Sequence, residues 1–213
     1  MPYAHFTGDL TVTWLNDGRL MQLQAPFGFV DAAALDWPVP AKAQIDGASI
    51  PRSLWSVVGG PFEGKYRNAS VIHDWYCSIR TRPWESVHTM FWEAMLVSGV
   101  GGLQARMLYL AVRFGGPRWD DLTIANNQLA SGGKWSAPIP ATANDLRIGP
   151  IDKSEGVAGA PVPVVWRRAV TDSAAFEALA TQLTDDMTPA QIDALADAQA
   201  GAMVAKIASR SPP

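Results

Sequence analysis

Between Asn68 and Phe114 the chain contains three segments of helical length that only short breaks separate. In the middle segment apolar residues recur every three or four positions, which places their side chains on one face of an α-helix. We expect helices over about residues 68–80, 83–98 and 103–114. Helices joined by connections this short pack side by side in alternating directions, so the segments predict an antiparallel bundle.

The residues before the bundle have different patterns. From residue 6 to residue 23, apolar and polar side chains alternate on both sides of Asn16-Asp17-Gly18. An Asp-Gly pair between alternating runs predicts a β-hairpin. Residues 26–44 contain several prolines and small apolar residues, from which we expect irregular, extended chain. Proline and glycine residues then bracket a short helix expected over residues 52–58.

After Trp119, glycines and prolines interrupt the chain repeatedly, which predicts a linker or an extended arm. Ala-rich helices are expected over residues 173–183 and 189–207, the second opened by the capping box Thr188-Pro-Ala-Gln191. We therefore divide the chain into a core domain (1–120), an arm (121–170) and a helical tail (171–213). The predicted fold class is α+β: an N-terminal β-hairpin packed on a small antiparallel helix bundle, with a Pro/Gly-rich arm and a helical C-terminal tail.

Composition limits the classes of partner. Charged residues are 17% of the 213 residues, below the usual share of about 25%, and nine residues are tryptophan, so the surface is expected to lie against another molecule. The net charge is −3 and lysine and arginine are not clustered, so we expect no nucleic-acid partner.

The single cysteine excludes an internal disulfide, and the first residues lack the features of a secretory signal. No apolar run reaches the roughly 20 residues of a transmembrane helix.

The strongest chemical signal is the adjacent pair His73-Asp74, which follows an upstream Asp46-Gly47. On a helix, adjacent side chains point about 100° apart, so the two groups face different neighbours. His73 would serve as a general base near neutral pH, and Asp74 with Asp46 would supply oxygen ligands to a hard cation such as Ca²⁺. The alternative is structural: the pair anchors a loop through hydrogen bonds, and Asp46-Gly47 is a turn.

Three stretches carry a resemblance to a known family: Asp46-Gly-Ala-Ser-Ile-Pro51, Ala69-Ser-Val-Ile-His-Asp-Trp-Tyr76 and Phe91-Trp-Glu-Ala-Met95. With the residues around them, they resemble the phage and prophage domain-of-unknown-function family thirteen-fifty-three, through its paired motifs D-G-A-S-I-P and H-D-x-x-Y. The resemblance covers roughly residues 5–119. It implies a phage or prophage origin, and hence synthesis in the host cytoplasm with association with virions. It implies no particular reaction.

A second resemblance concerns the chemistry. Bacterial phospholipases A2 also carry Asp-Gly upstream of a helical His-Asp pair; their two aspartates hold Ca²⁺, the histidine activates a water, and a carboxylate on the next antiparallel helix orients the histidine. Transferred to this chain, the resemblance implies Asp46 and Asp74 as cation ligands and His73 as the water-activating residue. Related phage sequences have an acid where this chain has His88, and Glu85 one turn earlier is the nearest substitute.

These considerations give a set of candidate site residues. The candidate catalytic residues are His73, Asp74 and Glu85. The candidate ligands of a divalent ion, Ca²⁺ or Zn²⁺, are Asp46, Asp74 and His88, because His88 would join His73 and Asp74 in a transition-metal set. Cys77 is expected to be a small buried packing residue.

Two functions remain open on this basis. One is a metal-assisted hydrolase of the cell envelope, acting on lipid or peptidoglycan. The other is a non-enzymatic phage structural or tail-associated component, in which the His-Asp pair is structural and the arm and tail bind neighbouring subunits. The expected partners are accordingly cell-envelope components or other phage proteins.

Overall fold

The computed structural model describes residues 4–16, 20–45, 64–132 and 173–208, with the side chains of the last segment described from 174 to 198. Within these ranges the chain forms two small antiparallel sheets and six α-helices, so the fold is α+β as predicted. The Asp46 loop, the short helix expected over residues 52–58 and most of the arm lie outside the described residues.

One sheet confirms the predicted hairpin. Strand β2 (Val12–Trp14) pairs antiparallel with β3 (Met21–Leu23), with Val12 opposite Leu23 and Trp14 opposite Met21. On the other side of β3, the short strand β6 (Gln44–Ile45) completes the sheet. Met21, Leu23 and Ile45 are buried, whereas Trp14 on the edge strand is exposed.

The other sheet corrects the expectation of irregular chain over residues 26–44. Strand β4 (Phe27–Val30) lies between β1 (His5–Thr7) and β5 (Asp36–Val39), antiparallel to both. The proline that argued against a strand, Pro38, lies in β5 at the edge of this sheet. An edge strand tolerates a residue that has no N–H, so the proline is compatible with pairing.

The three helices of the bundle lie where the sequence predicts them. They are α1 (Arg67–Ile79), which a 3₁₀ turn over Gly64–Tyr66 precedes, α2 (Trp84–Val97) and α3 (Gly102–Gly115). Arg80 ends α1 in the left-handed conformation, at φ 51°, and its N–H donates to the carbonyl of the last turn. The chain reverses within four residues, so α2 returns alongside α1.

A fourth helix occupies the start of the segment that was assigned to the arm. It is α4 (Asp121–Ala130), and the Asp120 side chain caps it by accepting a hydrogen bond from the Thr123 N–H at 2.8 Å. Asn127 donates to the carbonyl of Ile79 at the end of α1, at 3.0 Å. The core therefore extends at least through α4.

The helical tail packs on the core domain. Its helices are α5 (Ser173–Ala180) and α6 (Pro189–Ala208), and the predicted capping box is present, with Thr188 N–H donating to Gln191 Oε1 at 2.8 Å. Ile192 and Ala196 on α6 are fully buried. The apolar stripe of the tail is thus covered by the chain itself, at least over these positions.

An ion pair joins α6 to α3. The Nε of Arg113, whose side chain is 5% exposed, lies 2.5 Å from Oδ1 of Asp193, and the same carboxylate oxygen accepts a hydrogen bond from the Tyr109 hydroxyl at 2.9 Å. Asp197 is more distant, at 3.8 Å from Nη2 of Arg113, and is 58% exposed. Asp193 is therefore the main counter-charge of a buried guanidinium.

Helix α1 lies between the sheet formed by β1, β4 and β5 and helix α2. Tyr76 contacts the sheet: its ring meets Trp37 edge-on at 4.9 Å between centroids, and its hydroxyl donates to the carbonyl of Pro38 at 3.2 Å. The Arg82 guanidinium covers Trp37, 4.2 Å from the ring centroid. These contacts fix the orientation of α1 and so determine which of its residues face α2.

None of the described helices is long and apolar enough to cross a membrane.

The pairing at Arg113 generates a stability prediction. Asp193→Ala removes the nearest carboxylate from a buried guanidinium, so we expect the free energy of unfolding to fall by about 2 kcal/mol in urea denaturation. The matched control is Asp197→Ala, where a distant and exposed carboxylate should contribute less than about 0.5 kcal/mol. Equal losses from the two substitutions would contradict the assigned pairing.

Candidate functional site

The facing sides of α1 and α2 bring two histidines and a cysteine together. His73 lies in the middle of α1 and Cys77 follows it by four residues, the spacing that places two side chains on one helix face. His88 lies in the first half of α2. Because the two helices run side by side after a short connection, His88 faces the stripe formed by His73 and Cys77.

The contacts within this group, which we call the His-Cys-His cluster, are close. Nε2 of His73 lies 2.9 Å from Nδ1 of His88, a hydrogen bond between two imidazoles. The Cys77 sulfur lies 3.7 Å from Nε2 and 3.8 Å from Nδ1 of His73. Both histidines are fully buried and Cys77 is 4% exposed. One ligand-type atom from each residue lies within 4.8 Å of the others.

Aromatic rings enclose the cluster. Phe91 lies 4.7 Å from the His73 ring between centroids, and Trp84 meets His88 edge-on at 5.4 Å. The guanidinium groups of Arg113 and Arg118 lie over the Trp84 ring, 4.5 and 4.6 Å from its centroid. Each histidine therefore packs against an aromatic ring, and two positive charges lie over Trp84, the ring beside His88.

This environment opposes protonation of the histidines. Burial lowers the pKa of His73 from 6.5 to about 3. Burial also lowers the pKa of His88 well below its ordinary value, and repulsion from His73, if that ring is protonated, and from Arg113 and Arg118 lowers it further. Both imidazoles are consequently neutral at pH 7, and a proton added to either would be strongly destabilised.

The hydrogen bond leaves one nitrogen of the pair unsatisfied. A neutral imidazole carries one donor nitrogen and one acceptor nitrogen, so one ring donates and the other accepts. Nε2 of His88 has no hydrogen-bond partner within the described part of the chain, and it is buried. Whichever ring donates, an unpaired buried nitrogen costs about 1–3 kcal/mol.

Of the site residues predicted from the sequence that the structure describes, only His88 is found in hydrogen-bond contact with His73. The structure places Asp74 in the interior of the protein, 2% exposed, but the group of ligand-type atoms around His73 does not include it. Glu85 is exposed in the first turn of α2, whereas His73 is fully buried, so His88 and not Glu85 contacts the imidazole. Asp46 lies outside the described residues.

Sequence reasoning missed the role of Cys77 beside His73. Cys77 is buried, as expected, but it also contacts the imidazole. In this chain Tyr76 follows His73 by three residues, one fewer than in the H-D-x-x-Y pattern, and Cys77 occupies the position that the pattern gives to tyrosine. Tyr76 instead packs on the sheet. The signal available in the sequence was the separation of four residues between His73 and Cys77, which places both side chains on one face of a helix.

Comparison with known families covers the helices that build the cluster. Residues 21–112 match the family described as "Protein of unknown function (DUF1353)". The resemblance to this family, predicted over roughly residues 5–119, is confirmed over residues 21–112. The DUF1353 match runs from β3 into α3 and includes all three residues of the cluster.

Two curated relatives are similar to part of this chain. The uncharacterized proteins y4jT and y4iH of Sinorhizobium fredii (strain NBRC 101917 / NGR234) are 41% identical over 126 residues and 39% identical over 128 residues. The alignments cover 57% and 60% of this chain, but only 38% and 53% of the relatives. The chain therefore spans roughly half or less of their length. No solved structure matches the chain significantly.

The lowered pKa of His73 predicts a loss of stability in acid. Between the folded pKa of about 3 and the ordinary value of 6.5, the unfolded chain binds more protons than the folded one, so stability falls as the pH drops through this window. From pH 7 to pH 5, His73 should contribute a loss of about 2 kcal/mol. Urea denaturation at the two pH values measures it.

The matched variants are His73→Gln and His5→Gln, the second at an exposed position in β1. His73→Gln should reduce the difference in stability between pH 7 and pH 5 by about 2 kcal/mol, relative to His5→Gln. If the difference is the same in both variants, His73 already binds a proton in the folded protein and the assigned environment is wrong.

Proposed function

We propose that the protein is a non-enzymatic structural component of a phage or prophage particle, in which His73 and His88 hold α1 and α2 together. The observation that carries this proposal is the complete burial of a hydrogen-bonded pair of neutral imidazoles. The phage context of the proposal rests on the motif resemblance alone, since the matched family is described as a protein of unknown function.

The electrostatics around His73 support a structural role. A histidine that activates water takes up a proton in the transition state, and a neighbouring carboxylate stabilises the resulting imidazolium. Here the neighbour is a neutral imidazole, and burial holds the pKa of His73 near 3. A base this weak near neutral pH is far from the optimum for general-base catalysis.

The surface of α4 supports a role in an assembly. Leu122 and Leu129 are 49% and 80% exposed, and a separation of seven residues places them on the same face of the helix. Contact with a neighbouring subunit would remove this apolar surface from water, at about 25 cal/mol per Å². The α4 face formed by these two leucines is therefore our candidate contact with another phage protein.

Particle association tests the proposal. When the phage or prophage that encodes the chain is induced, mass spectrometry of gradient-purified particles should detect the full chain. The double substitution Leu122→Glu/Leu129→Glu should reduce its particle association at least tenfold and leave its circular dichroism spectrum unchanged. Leu103→Glu, at a leucine 45% exposed on α3, is the matched control. Expression of the chain with none in purified particles would reject the assembly role.

A second candidate, the metal-assisted hydrolase of lipid or peptidoglycan, is favoured by one specific observation. A single ring nitrogen of His73 hydrogen-bonds residue 88 of the adjacent antiparallel helix, which is the arrangement that orients a water-activating histidine. Asp74 follows His73 and would hold a cation together with Asp46. The missing part of this arrangement is a negative charge at residue 88.

The variant His88→Asp tests the hydrolase directly, because it places a carboxylate beside His73. With Ca²⁺ or Zn²⁺ present, a hydrolase should release fatty acid from phosphatidylglycerol vesicles or soluble fragments from purified peptidoglycan. His88→Asp should increase the rate, and His73→Gln should decrease it about 100-fold or more, relative to His5→Gln. Product formation that is equal in all variants, or absent from all, would reject the hydrolase.

A further inference from the structure

The spacing of the His-Cys-His cluster is close to that of ligands around one metal ion. Two nitrogens bound to the same tetrahedral zinc lie roughly 3.3 Å apart, and a nitrogen and a sulfur roughly 3.6 Å apart. Here the two nitrogens of His73 and His88 are 2.9 Å apart, and the Cys77 sulfur is 3.7 Å from the nearer nitrogen of His73. A small rotation of the rings would replace the hydrogen bond by two metal–nitrogen bonds.

The chemistry of the donors selects a class of ion. Ca²⁺ and Mg²⁺ take oxygen ligands, whereas a thiolate with two imidazoles suits thiophilic ions such as Cu(I) and Zn(II). Metal-bound histidines are neutral, and the full burial of both imidazoles suits ligands of that kind. The cluster is therefore chemically distinct from the oxygen site expected at Asp46 and Asp74.

The net charge of the site and the number of ligands both favour Cu(I) over Zn(II) at the His-Cys-His cluster. With a Cys77 thiolate and two neutral histidines, Cu(I) gives a site with no net charge, whereas Zn(II) leaves one positive charge in the interior. Asp193 offsets the charge of Arg113. Arg118 also lies over Trp84, however, and is 3.9 Å from the exposed Asp197, so an additional buried positive charge is disfavoured. Structural zinc sites also have four protein ligands, and the group of ligand-type atoms found in the described residues has three.

We propose that His73, Cys77 and His88 bind one thiophilic metal ion of d¹⁰ configuration, with three-coordinate Cu(I) favoured over Zn(II), and that the ion joins α1 to α2. On binding, Cys77 loses its thiol proton to solvent and the metal–sulfur bond forms, with no change in oxidation state. The proposal goes beyond the structural role above, because a structural component of a particle does not require a bound metal ion.

Metal titration of the purified, reduced chain under anaerobic conditions tests the site. The probes are Cu(I), supplied as its bicinchoninate complex, and Zn²⁺ alone. We expect one Cu(I) per chain, a raised thermal midpoint, and an X-ray absorption spectrum with one sulfur and two nitrogen neighbours. The sulfur neighbour should disappear in Cys77→Ser, whose Cu(I) affinity should fall about 100-fold or more.

The controls keep folding, metal binding and assembly apart. His5→Gln should bind Cu(I) as the unchanged chain does, and circular dichroism should show that Cys77→Ser is folded. Cu(I) binding that Cys77→Ser leaves unaffected would overturn the site, as would no binding to the unchanged chain. Tighter retention of Zn²⁺ than of Cu(I) would overturn the preference. If the Cys77→Ser chain binds no metal but still associates with particles normally, the structural role does not depend on the metal, and the two proposals can be tested independently.

Discussion

The hydrogen bond between His73 and His88 is the interaction around which the helical half of the protein is arranged. It lies between α1 and α2, where both rings are fully buried. A polar contact in such a position requires each side chain to keep its partner, because a buried nitrogen that loses its hydrogen bond costs more than the bond contributes in water. The pair therefore specifies which residues of the two helices meet.

The contacts around the pair show how the rest of the fold supports it. On one side, Tyr76 packs against Trp37 of strand β5 and sets the rotation of α1. On the other side, Trp84 separates His88 from two arginines. The rings keep water away from the imidazoles, and the arginines raise the cost of charging them. A site that excludes positive charge is better suited to holding helices together than to taking up a proton.

Much of the fold is predictable from the sequence because its signals are local. The helices of the bundle follow from residue spacing and from the breaks between them, and the first hairpin follows from the Asp-Gly turn between alternating runs. Strands β4 and β5 were missed because Pro38 argues against a strand, and only the tertiary position of β5 at a sheet edge makes the proline acceptable. Helix α4 was missed because the glycines and prolines that follow it dominated the composition of the segment.

The site was predictable only in part. The phospholipase resemblance placed a residue of the next helix beside His73, and in the structure His88 contacts that ring. The effect of burial on the pKa values depends on rings from several helices, which no short motif contains. The contact between Cys77 and His73 follows from their separation by four residues, but the same spacing is common in helices with no such contact, so it acquires meaning only with His88 in place.

Arg113 links the tail to the histidine pair. It pairs with Asp193 of α6 while its guanidinium lies over Trp84, the ring that touches His88. When α6 is docked, the Asp193 carboxylate offsets a positive charge that otherwise opposes any cation at the imidazoles. Binding free energies are reciprocal, so a ligand that adds net positive charge at His73 and His88 would in turn strengthen the docking of α6, whereas a charge-neutral Cu(I)–thiolate site would not. Contacts through Arg113 and Trp84 thus link the tail to the histidine pair, although the two are far apart in the sequence.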